Sequence, residues 1–244
     1  MNGMIFAAGL GTRLRAFTGD RPKALVEVGG KPLLHHVIER LNTAGVQRLV
    51  INVHHFASQI EEFLRARDNF GLDVHLSDER DQLLDTGGGL LKARGLFLPA
   101  LPVLLHNVDI LSDVDLNALV QEHERGGARA TLVVQPVATA RVLRFDASNL
   151  LTGWENRTTG EQKIARPRFQ QSAAYSFCGI QVVSPAYLRA IQHRGVFSII
   201  DEHLVQARCH DIRAFLHRGT CLDMGTPEAI AAYPSSPISC RERD

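Results

Sequence analysis

The chain of 244 residues is 45% hydrophobic and 22% charged, and its formal net charge is +1. This composition predicts a globular protein with a sizeable core, and the near-zero charge argues against a nucleic-acid partner or a membrane surface. The four cysteines are scattered without a C-x-x-C pair, which argues against zinc ribbons and redox dithiols and favours free thiols in a reducing compartment. No apolar run approaches the length of a membrane span and no signal-peptide pattern is present, so we expect a cytoplasmic protein.

The first part of the chain alternates between apolar runs typical of strands and apolar periodicity typical of helices. Strands are predicted over 4–8, 48–53, 74–76, 103–105 and 130–134. Helices are predicted from Pro32 to Gly45, over 59–66, after a loop at 78–89, and over 115–125. This repetition of strand, helix and strand predicts a parallel sheet with helices on both faces.

The second part has a mixed pattern. A hairpin is predicted over 142–154 with its turn at 146–149, followed by an exposed polar loop over 156–171 and a strand over 175–182. Helical pieces at Pro185 and over 197–207, strands over 212–216 and 220–222, and a helix capped by Thr226 complete the pattern. We predict one domain over 1–233, with a loose C-terminal tail over 234–244.

A glycine loop follows the first strand. Gly9 and Gly11 allow backbone N–H groups to approach a phosphate, although two glycines alone are also typical of a tight turn. Leu14 stands at the third glycine of the dinucleotide fingerprint, and Pro32 follows Gly30-Lys31 where a P-loop needs Ser or Thr, so both common nucleotide motifs fail. An excess of cations over 9–31 still favours a small phosphorylated ligand.

The stretch AAGLGTRLRAFTGDRPKALVEVGGKPLL joins G-x-G-T-R to a later P-K. It resembles the signature of the sugar-1-phosphate nucleotidyltransferases, also called nucleotide-sugar pyrophosphorylases. The resemblance implies a loop over a triphosphate, in which Arg13 holds the departing pyrophosphate and Lys23 lies near the α-phosphate. It implies nucleotide contacts for the rest of the loop as well, at Ala8, Gly9, Gly11 and Thr12.

Two aspartates match the family's metal ligands. Asp109 follows an apolar strand in VLLHNVDILSD, at the sheet edge where ligands bind in such folds, although a turn or helix-cap aspartate is the alternative. This segment resembles the family's N-G-D, with Val108 in place of glycine. Asp223 in CLDMGTPEAI resembles the family's D-x-G-T. The resemblance implies that Asp109 and Asp223 hold Mg²⁺, which prefers one or two carboxylates together with phosphate oxygens and water.

The segment DTGGG resembles the family loop beside the nucleobase, and a helix-capping loop is the alternative. The resemblance implies nucleotide contacts for Thr86, Gly87 and Gly88. This form is similar to N-acetylmuramate-1-phosphate uridylyltransferases and to mannose- and heptose-1-phosphate guanylyltransferases. For the sugar phosphate, the resemblance implies Asn107, Glu155 and Gly179. Asn156 stands where the family often has lysine, and Arg157 or Lys163 are the alternative cations.

The resemblance implies a Rossmann-like three-layer α/β/α fold with a mixed, mostly parallel sheet. Its nucleotide-binding half spans about 1–134, and its sugar-phosphate-binding half about 135–233. We predict an enzyme that joins a sugar 1-phosphate to a nucleoside triphosphate, giving an NDP-sugar and pyrophosphate, and we favour uridylyl transfer. The alternatives are a mannose- or heptose-1-phosphate guanylyltransferase, a non-catalytic nucleotide-sensing relative and a dinucleotide-binding oxidoreductase. The sequence leaves the base, the sugar and a homo-oligomeric state open.

Overall fold

The computed structural model describes residues 1–233, with Arg15 and Ala16 described by their backbone alone. The predicted tail over 234–244 lies outside the described residues. The strands are β1 (Asn2–Phe6), β2 (Glu27–Val28), β3 (Lys31–Pro32), β4 (Arg48–Val53), β5 (Asp73–Asp78), β6 (Val103–Asn107), β7 (Ile110–Ser112), β8 (Ala130–Pro136), β9 (Arg141–Phe145), β10 (Leu151–Asn156), β11 (Gln162–Ile164), β12 (Ala173–Val183), β13 (Ile212–Leu216) and β14 (Cys221–Asp223). The helices are α1 (Arg15–Thr18), α2 (Leu33–Thr43), α3 (Ala57–Arg65), α4 (Asp85–Ala93), α5 (Leu116–Gly126), α6 (Pro185–Arg189), α7 (Ile199–Ala207) and α8 (Pro227–Ala231).

Ten strands form one mixed sheet that draws on both predicted halves of the chain. Its main path runs β11-β10-β9-β12-β6-β1-β4-β5, and β8 joins β12 to β13. The strands β5, β4, β1 and β6 are parallel, whereas β12 is antiparallel to β6, β8 and β9. Since parallel strands end at the same edge, the loops after β1, β4 and β6 meet there.

Helices cover both faces of this sheet, so the predicted three-layer α/β class is confirmed. The helices α2, α3 and α5 pack on one face, and α4, α6 and α7 pack on the other. The predicted apolar stripe of α2 is fully buried, and burying each such side chain is worth roughly 1.5–3 kcal/mol. Its members are Leu33, Leu34, Val37, Ile38 and Leu41. No helix in residues 1–233 is both long and apolar enough to cross a membrane.

The predicted loop over 78–89 is wrong in its second part, because α4 already begins at Asp85. The glycines of DTGGG lie inside this helix and are buried against other segments. A Cβ on Gly87 would lie 2.4 Å from the Phe197 ring, and one on Gly88 would lie 2.3 Å from the Gly195 carbonyl oxygen. Close packing therefore explains glycines whose low helix propensity predicted a loop.

The predicted irregular loop over 156–171 is also partly wrong. It contains the edge strand β11, which pairs with β10, and a 3₁₀ turn at Phe169–Gln171. The Phe169 ring is buried and covers Gly153, where an added Cβ would lie 2.5 Å from the ring. All three residues of β11 are exposed, so the strand lacks the alternation of polar and apolar residues that reveals a half-buried strand.

Candidate active site

A cavity of about 440 Å³ opens where the parallel strands β1, β4 and β6 end. Six of the predicted site residues line it, namely Ala8, Gly9, Lys23, Thr86, Asn107 and Asp109. Residues that were not predicted complete the lining: Phe6, Asn52, Glu79, Leu83, Asp85, Val108 and Val196. The cavity therefore joins the glycine loop, the start of α4 and the Asn107–Asp109 segment at one sheet edge.

Lys23 and Asp109 are joined directly in this cavity. Lys23 lies in a 3₁₀ turn after the extended Pro22, and its Nζ donates to Oδ2 of Asp109. The two side chains are only 11% and 17% exposed. Gly11, at φ +62°, makes room for this lysine, since an added Cβ would lie 3.2 Å from Lys23 Cβ and 3.1 Å from Thr18 Cγ2. The glycine loop therefore packs directly against Lys23.

A second pair, formed by the predicted site residues Arg13 and Asp223, does not line the cavity. Arg13 Nη2 is 3.6 Å from Oδ2 of Asp223, and both side chains are more than half exposed. The Gly225 N–H donates to Asp223 Oδ1 at 2.8 Å. An added Cβ on Gly225 would lie 2.6 Å from both Arg13 Nη2 and Asp223 Oδ1. Gly225 therefore leaves room for the ends of the arginine and aspartate side chains where they meet.

The antiparallel pair β7–β14 brings the two distant aspartates together. Asp223 is paired with Ile110, the residue after Asp109. The Met224 N–H donates to the Asp109 carbonyl oxygen at 2.8 Å, which fixes the register at the end of the ladder. Asp109 and Asp223 are therefore close along the backbone, and their shared role as metal ligands stays a prediction. Residues 1–233 hold no group of three or more His, Cys, Asp or Glu side chains able to hold a metal.

Asn52 and Glu79 were missed by sequence reasoning, yet they organise the cavity floor. Asn52 Oδ1 accepts hydrogen bonds from the backbone N–H groups of Ala7 (2.7 Å) and Ala8 (3.3 Å). Its Nδ2 donates to Glu79 Oε1 at 2.8 Å. Glu79 is fully buried, and its second oxygen accepts from the Leu84 N–H at 3.0 Å. A polar residue inside the apolar run LVINV was the signal available for Asn52.

A segment from the second half closes one wall. The Phe197 carbonyl oxygen accepts from the N–H groups of Gly87 (3.0 Å) and Gly88 (3.2 Å), and the Ile199 N–H donates to Thr86 Oγ1 at 3.0 Å. Val196, which lines the cavity, is 53% exposed. Gly87 and Gly88 lie behind the wall, and their predicted contact with a nucleotide stays a prediction.

Two of the residues predicted for the sugar phosphate lie together. Gly179, at φ +69°, packs against Asn107, since an added Cβ would lie 2.8 Å from Asn107 Nδ2. Glu155 instead faces Arg144, which donates to it from Nε at 2.9 Å and from Nη2 at 2.6 Å. These hydrogen bonds hold the pKa of Glu155 below its usual range. The predicted role of Glu155 stays a prediction.

Arg157 and Lys163, the two cations considered in place of the family lysine at Asn156, lie outside the cavity lining. Lys163 pairs with Asp201 at 2.8 Å, and its Nζ lies 5.3 Å from the centre of the Trp154 ring. Asn156 itself caps a turn by accepting from the Thr158 N–H at 3.1 Å. Neither Lys163 nor Arg157 lines the cavity.

Comparison with solved structures agrees on the fold. HddC from Yersinia pseudotuberculosis superposes with a TM-score of 0.75 at 22% identity, over 95% of this chain and 97% of that one. UDP-glucose pyrophosphorylase from Acinetobacter baumanii gives a TM-score of 0.76 at 17% identity, over 94% and 90%. At such identities the likeness supports the three-layer fold alone.

Comparison of sequences is more specific. The chain is 53% identical over 108 residues to N-acetylmuramate alpha-1-phosphate uridylyltransferase of Caulobacter vibrioides, covering 43% of this chain and 44% of that protein. The same enzyme of Neisseria meningitidis is 30% identical over 230 residues, covering 93% and 94%. The catalytic subunit beta of mannose-1-phosphate guanylyltransferase of Danio rerio is also 30% identical, covering 93% and 62%. The alignments thus span less than two thirds of the Caulobacter and Danio proteins.

The family model described as Nucleotidyl transferase matches residues 2–145, which include the glycine loop, Lys23 and Asp109. The Neisseria relative extends the match through the second half, where Asp223 lies. The predicted resemblance is confirmed, and the chain belongs to the nucleotidyl transferase family.

Proposed function

We propose that the protein transfers a uridylyl group from UTP to N-acetylmuramate 1-phosphate, giving a UDP-sugar and pyrophosphate. The observation that carries the reaction class is that the β7–β14 ladder sets Asp223, with its partner Arg13, opposite the residue after Asp109, whose partner is Lys23. The choice of uridine and N-acetylmuramate is supported by the names of the Caulobacter and Neisseria relatives.

The chemistry needs positioned charge rather than a general base. An oxygen of the sugar phosphate attacks the α-phosphorus, pyrophosphate leaves, and the nucleophile is already an anion near neutral pH. Among residues 1–233, no histidine lines the cavity. Lys23 then stabilises charge on the α-phosphate, and Arg13 stabilises the departing pyrophosphate. Positioning and electrostatics of this kind account for most of the catalysis of phosphoryl transfer.

The pair of carboxylates, Asp109 and Asp223, fits a magnesium ion. Mg²⁺ takes oxygen ligands and usually completes its shell with substrate phosphates and water, so a donor set of two carboxylates suits it. When bound, Mg²⁺ neutralises charge on phosphate oxygens as a Lewis acid. Asp109 and Asp223 would hold the ion in place of their present partners, and Lys23 and Arg13 would then be able to contact the triphosphate.

Glu79 favours a base that carries an imide N–H. Its buried carboxylate lines the cavity, and no salt bridge to it is present within residues 1–233. Uracil N3–H and guanine N1–H donate to such an acceptor, whereas cytosine N3 and adenine N1 are acceptors and would leave Glu79 facing a lone pair. A buried acceptor placed against a lone pair of the ligand discriminates strongly against that ligand.

Guanylyl transfer to mannose 1-phosphate is the second candidate, since Glu79 accepts from guanine as well and the Danio rerio relative is a guanylyltransferase. The test is a grid of four nucleoside triphosphates against N-acetylmuramate 1-phosphate and mannose 1-phosphate with Mg²⁺, read by pyrophosphate release. We expect the highest rate with UTP and N-acetylmuramate 1-phosphate. A maximum with GTP and mannose 1-phosphate favours the second candidate. No release with any pair favours a non-catalytic nucleotide-sensing relative.

A further inference from the structure

Two cysteines meet beside the candidate active site although 43 positions of chain separate them. Cys178 lies on β12 and is buried, whereas Cys221 begins β14 and is half-buried. The Cys221 thiol donates to the Cys178 carbonyl oxygen at 3.7 Å, which places the Cys221 sulfur beside Cys178. Both are free thiols in this structure.

Each cysteine is close in sequence to a residue of the candidate site. Cys178 precedes Gly179, which packs on Asn107. Cys221 lies two positions before Asp223, on the same three-residue strand. A displacement of Cys221 is therefore expected to displace Asp223 as well.

The two strands differ in how firmly they are held. β12 has 11 residues and pairs with three strands inside the ten-stranded sheet. β14 pairs with β7 alone in a separate two-stranded sheet, and its residues are half-buried or exposed. A force that draws the two sulfur atoms together will therefore move β14 rather than β12.

We propose that Cys178 and Cys221 form a reversible disulfide in the presence of a hydroperoxide, and that this bond draws Asp223 out of its position for catalysis. The loss of catalysis rests on the function proposed above, whereas formation of the bond does not. The half-buried Cys221 is the thiol that an oxidant reaches, and the buried Cys178 is the thiol that resolves the intermediate.

The steps balance with hydrogen peroxide as the oxidant. Peroxide transfers one oxygen atom to the Cys221 sulfur, which gives a sulfenic acid and one water molecule. The Cys178 sulfur then attacks the Cys221 sulfur, and the leaving hydroxide takes the Cys178 proton to form a second water. Two thiols lose two electrons and two protons in total, and one peroxide is reduced to two waters.

Bond formation changes the geometry of the site. Bonded sulfur atoms lie about 2.05 Å apart, well inside the separation of non-bonded thiols. Because β14 pairs with one strand only, we expect it to shift towards β12. The hydrogen bond from Met224 to Asp109 is strained at the same time. A displacement of about 1 Å at a catalytic group costs on the order of 100-fold in rate. A thiol reductant reverses the change.

The test titrates the protein with hydrogen peroxide, quenches it, and digests it without reductant for peptide mass spectrometry. Pyrophosphate release is measured on the same samples before and after dithiothreitol. The variant Cys209→Ser/Cys240→Ser is the matched control, because it retains only the proposed pair. We expect it to give the Cys178–Cys221 cross-link and a loss of turnover of at least ~10-fold, restored by dithiothreitol. Cys178→Ser and Cys221→Ser should lose both the cross-link and the reversible inhibition.

Absence of the cross-link under conditions that oxidise Cys209 in the unmodified chain would overturn the proposal. A cross-link that leaves turnover unchanged would overturn its effect on Asp223. If the reduced protein shows no turnover with any substrate pair, the proposed function fails, and the cross-link still decides whether the thiol pair forms a disulfide.

Discussion

Lys23 and Asp109 form an ion pair with little solvent exposure at the floor of the cavity. One partner is the cation expected on the α-phosphate, and the other is a carboxylate expected on the metal. In the free protein these opposite charges neutralise each other, which avoids leaving either one buried and unpaired. Metal and triphosphate are therefore expected to bind cooperatively, since each releases the group that the other needs.

Removing either carboxylate that we propose as a metal ligand should abolish most of the turnover. We expect Asp109→Ala and Asp223→Ala each to reduce the rate of pyrophosphate release by at least ~100-fold, because each substitution removes an element that stabilises transferred charge. The matched control is Asp20→Asn, since Asp20 forms an exposed pair with Arg21 away from the cavity lining. Near-normal rates in either alanine variant would refute the assignment of that aspartate.

Replacing Lys23 should separate catalysis from binding. We expect Lys23→Ala to lower turnover more than triphosphate affinity, because the lysine acts on charge that develops during transfer. The same variant leaves Asp109 without its cation, so we also expect the triphosphate-free protein to bind Mg²⁺ more tightly in calorimetry. A loss of triphosphate affinity at unchanged turnover would contradict this role for Lys23.

Glu79 should set which bases are rejected. We expect Glu79→Gln to raise the rate with CTP relative to UTP by roughly 10-fold or more, because an amide N–H can donate to cytosine N3 while the amide oxygen still accepts from uracil. Steady-state rates with both nucleotides measure the ratio, and a thermal melt checks folding, since Glu79 also accepts from Asn52 and Leu84. An unchanged ratio would remove Glu79 from base selection.

Gly88 inside α4 and Gly95 in the 3₁₀ turn that follows it should respond differently to replacement by alanine. At Gly88 an added Cβ would meet the Gly195 backbone, so we expect Gly88→Ala to cost about 1–3 kcal/mol in the free energy of unfolding. At Gly95 no heavy atom lies within 4 Å, so Gly95→Ala should be neutral or stabilising. Urea unfolding of the two variants measures the contrast. Equal stabilities would mean that α4 does not need its glycines for packing.

Three buried histidines predict a loss of stability in mild acid. Burial lowers the pKa of His106 and of His123 to about 4, and that of His203 to about 3. In the unfolded chain these groups bind protons as pH falls through 6.5, whereas the folded protein keeps them neutral, so the free energy of unfolding should fall from about pH 6.5 towards pH 4.

Urea unfolding at several pH values measures this slope. In His123→Gln, one of the three titrating groups is removed, so the slope should become shallower between pH 6.5 and 4. A slope that is the same in the variant and the unmodified chain would show that His123 titrates alike in the folded and unfolded states.

The fold could largely be predicted because its signals are local. Apolar runs marked the strands of the sheet, and a stripe of apolar residues marked α2. Prediction failed where tertiary packing outweighed local preference, as in α4. Its glycines are needed because Phe197, Gly195 and Glu79 lie too close to leave room for a Cβ. It also failed at β11, an exposed edge strand without an alternating pattern.

The site could be predicted in part, through its motifs. Lys23 and Asp109 were predicted from the resemblance, and the structure joins them by a hydrogen bond in the cavity. Asn52 and Glu79 were missed because a single polar residue near the end of an apolar strand carries no periodic signal. The meeting of Cys178 and Cys221 depends on the β7–β14 pairing, which chain spacing does not reveal.

The central claim is tested most directly by identifying the product formed from UTP and N-acetylmuramate 1-phosphate with Mg²⁺. Phosphorus NMR and mass spectrometry of one reaction follow the UDP-sugar and pyrophosphate together, with Asp109→Ala as the control. We predict that the UDP-sugar and pyrophosphate appear in equal amounts and that neither forms with Asp109→Ala. Pyrophosphate without a UDP-sugar, or an unchanged mixture after long incubation, would contradict uridylyl transfer by this protein.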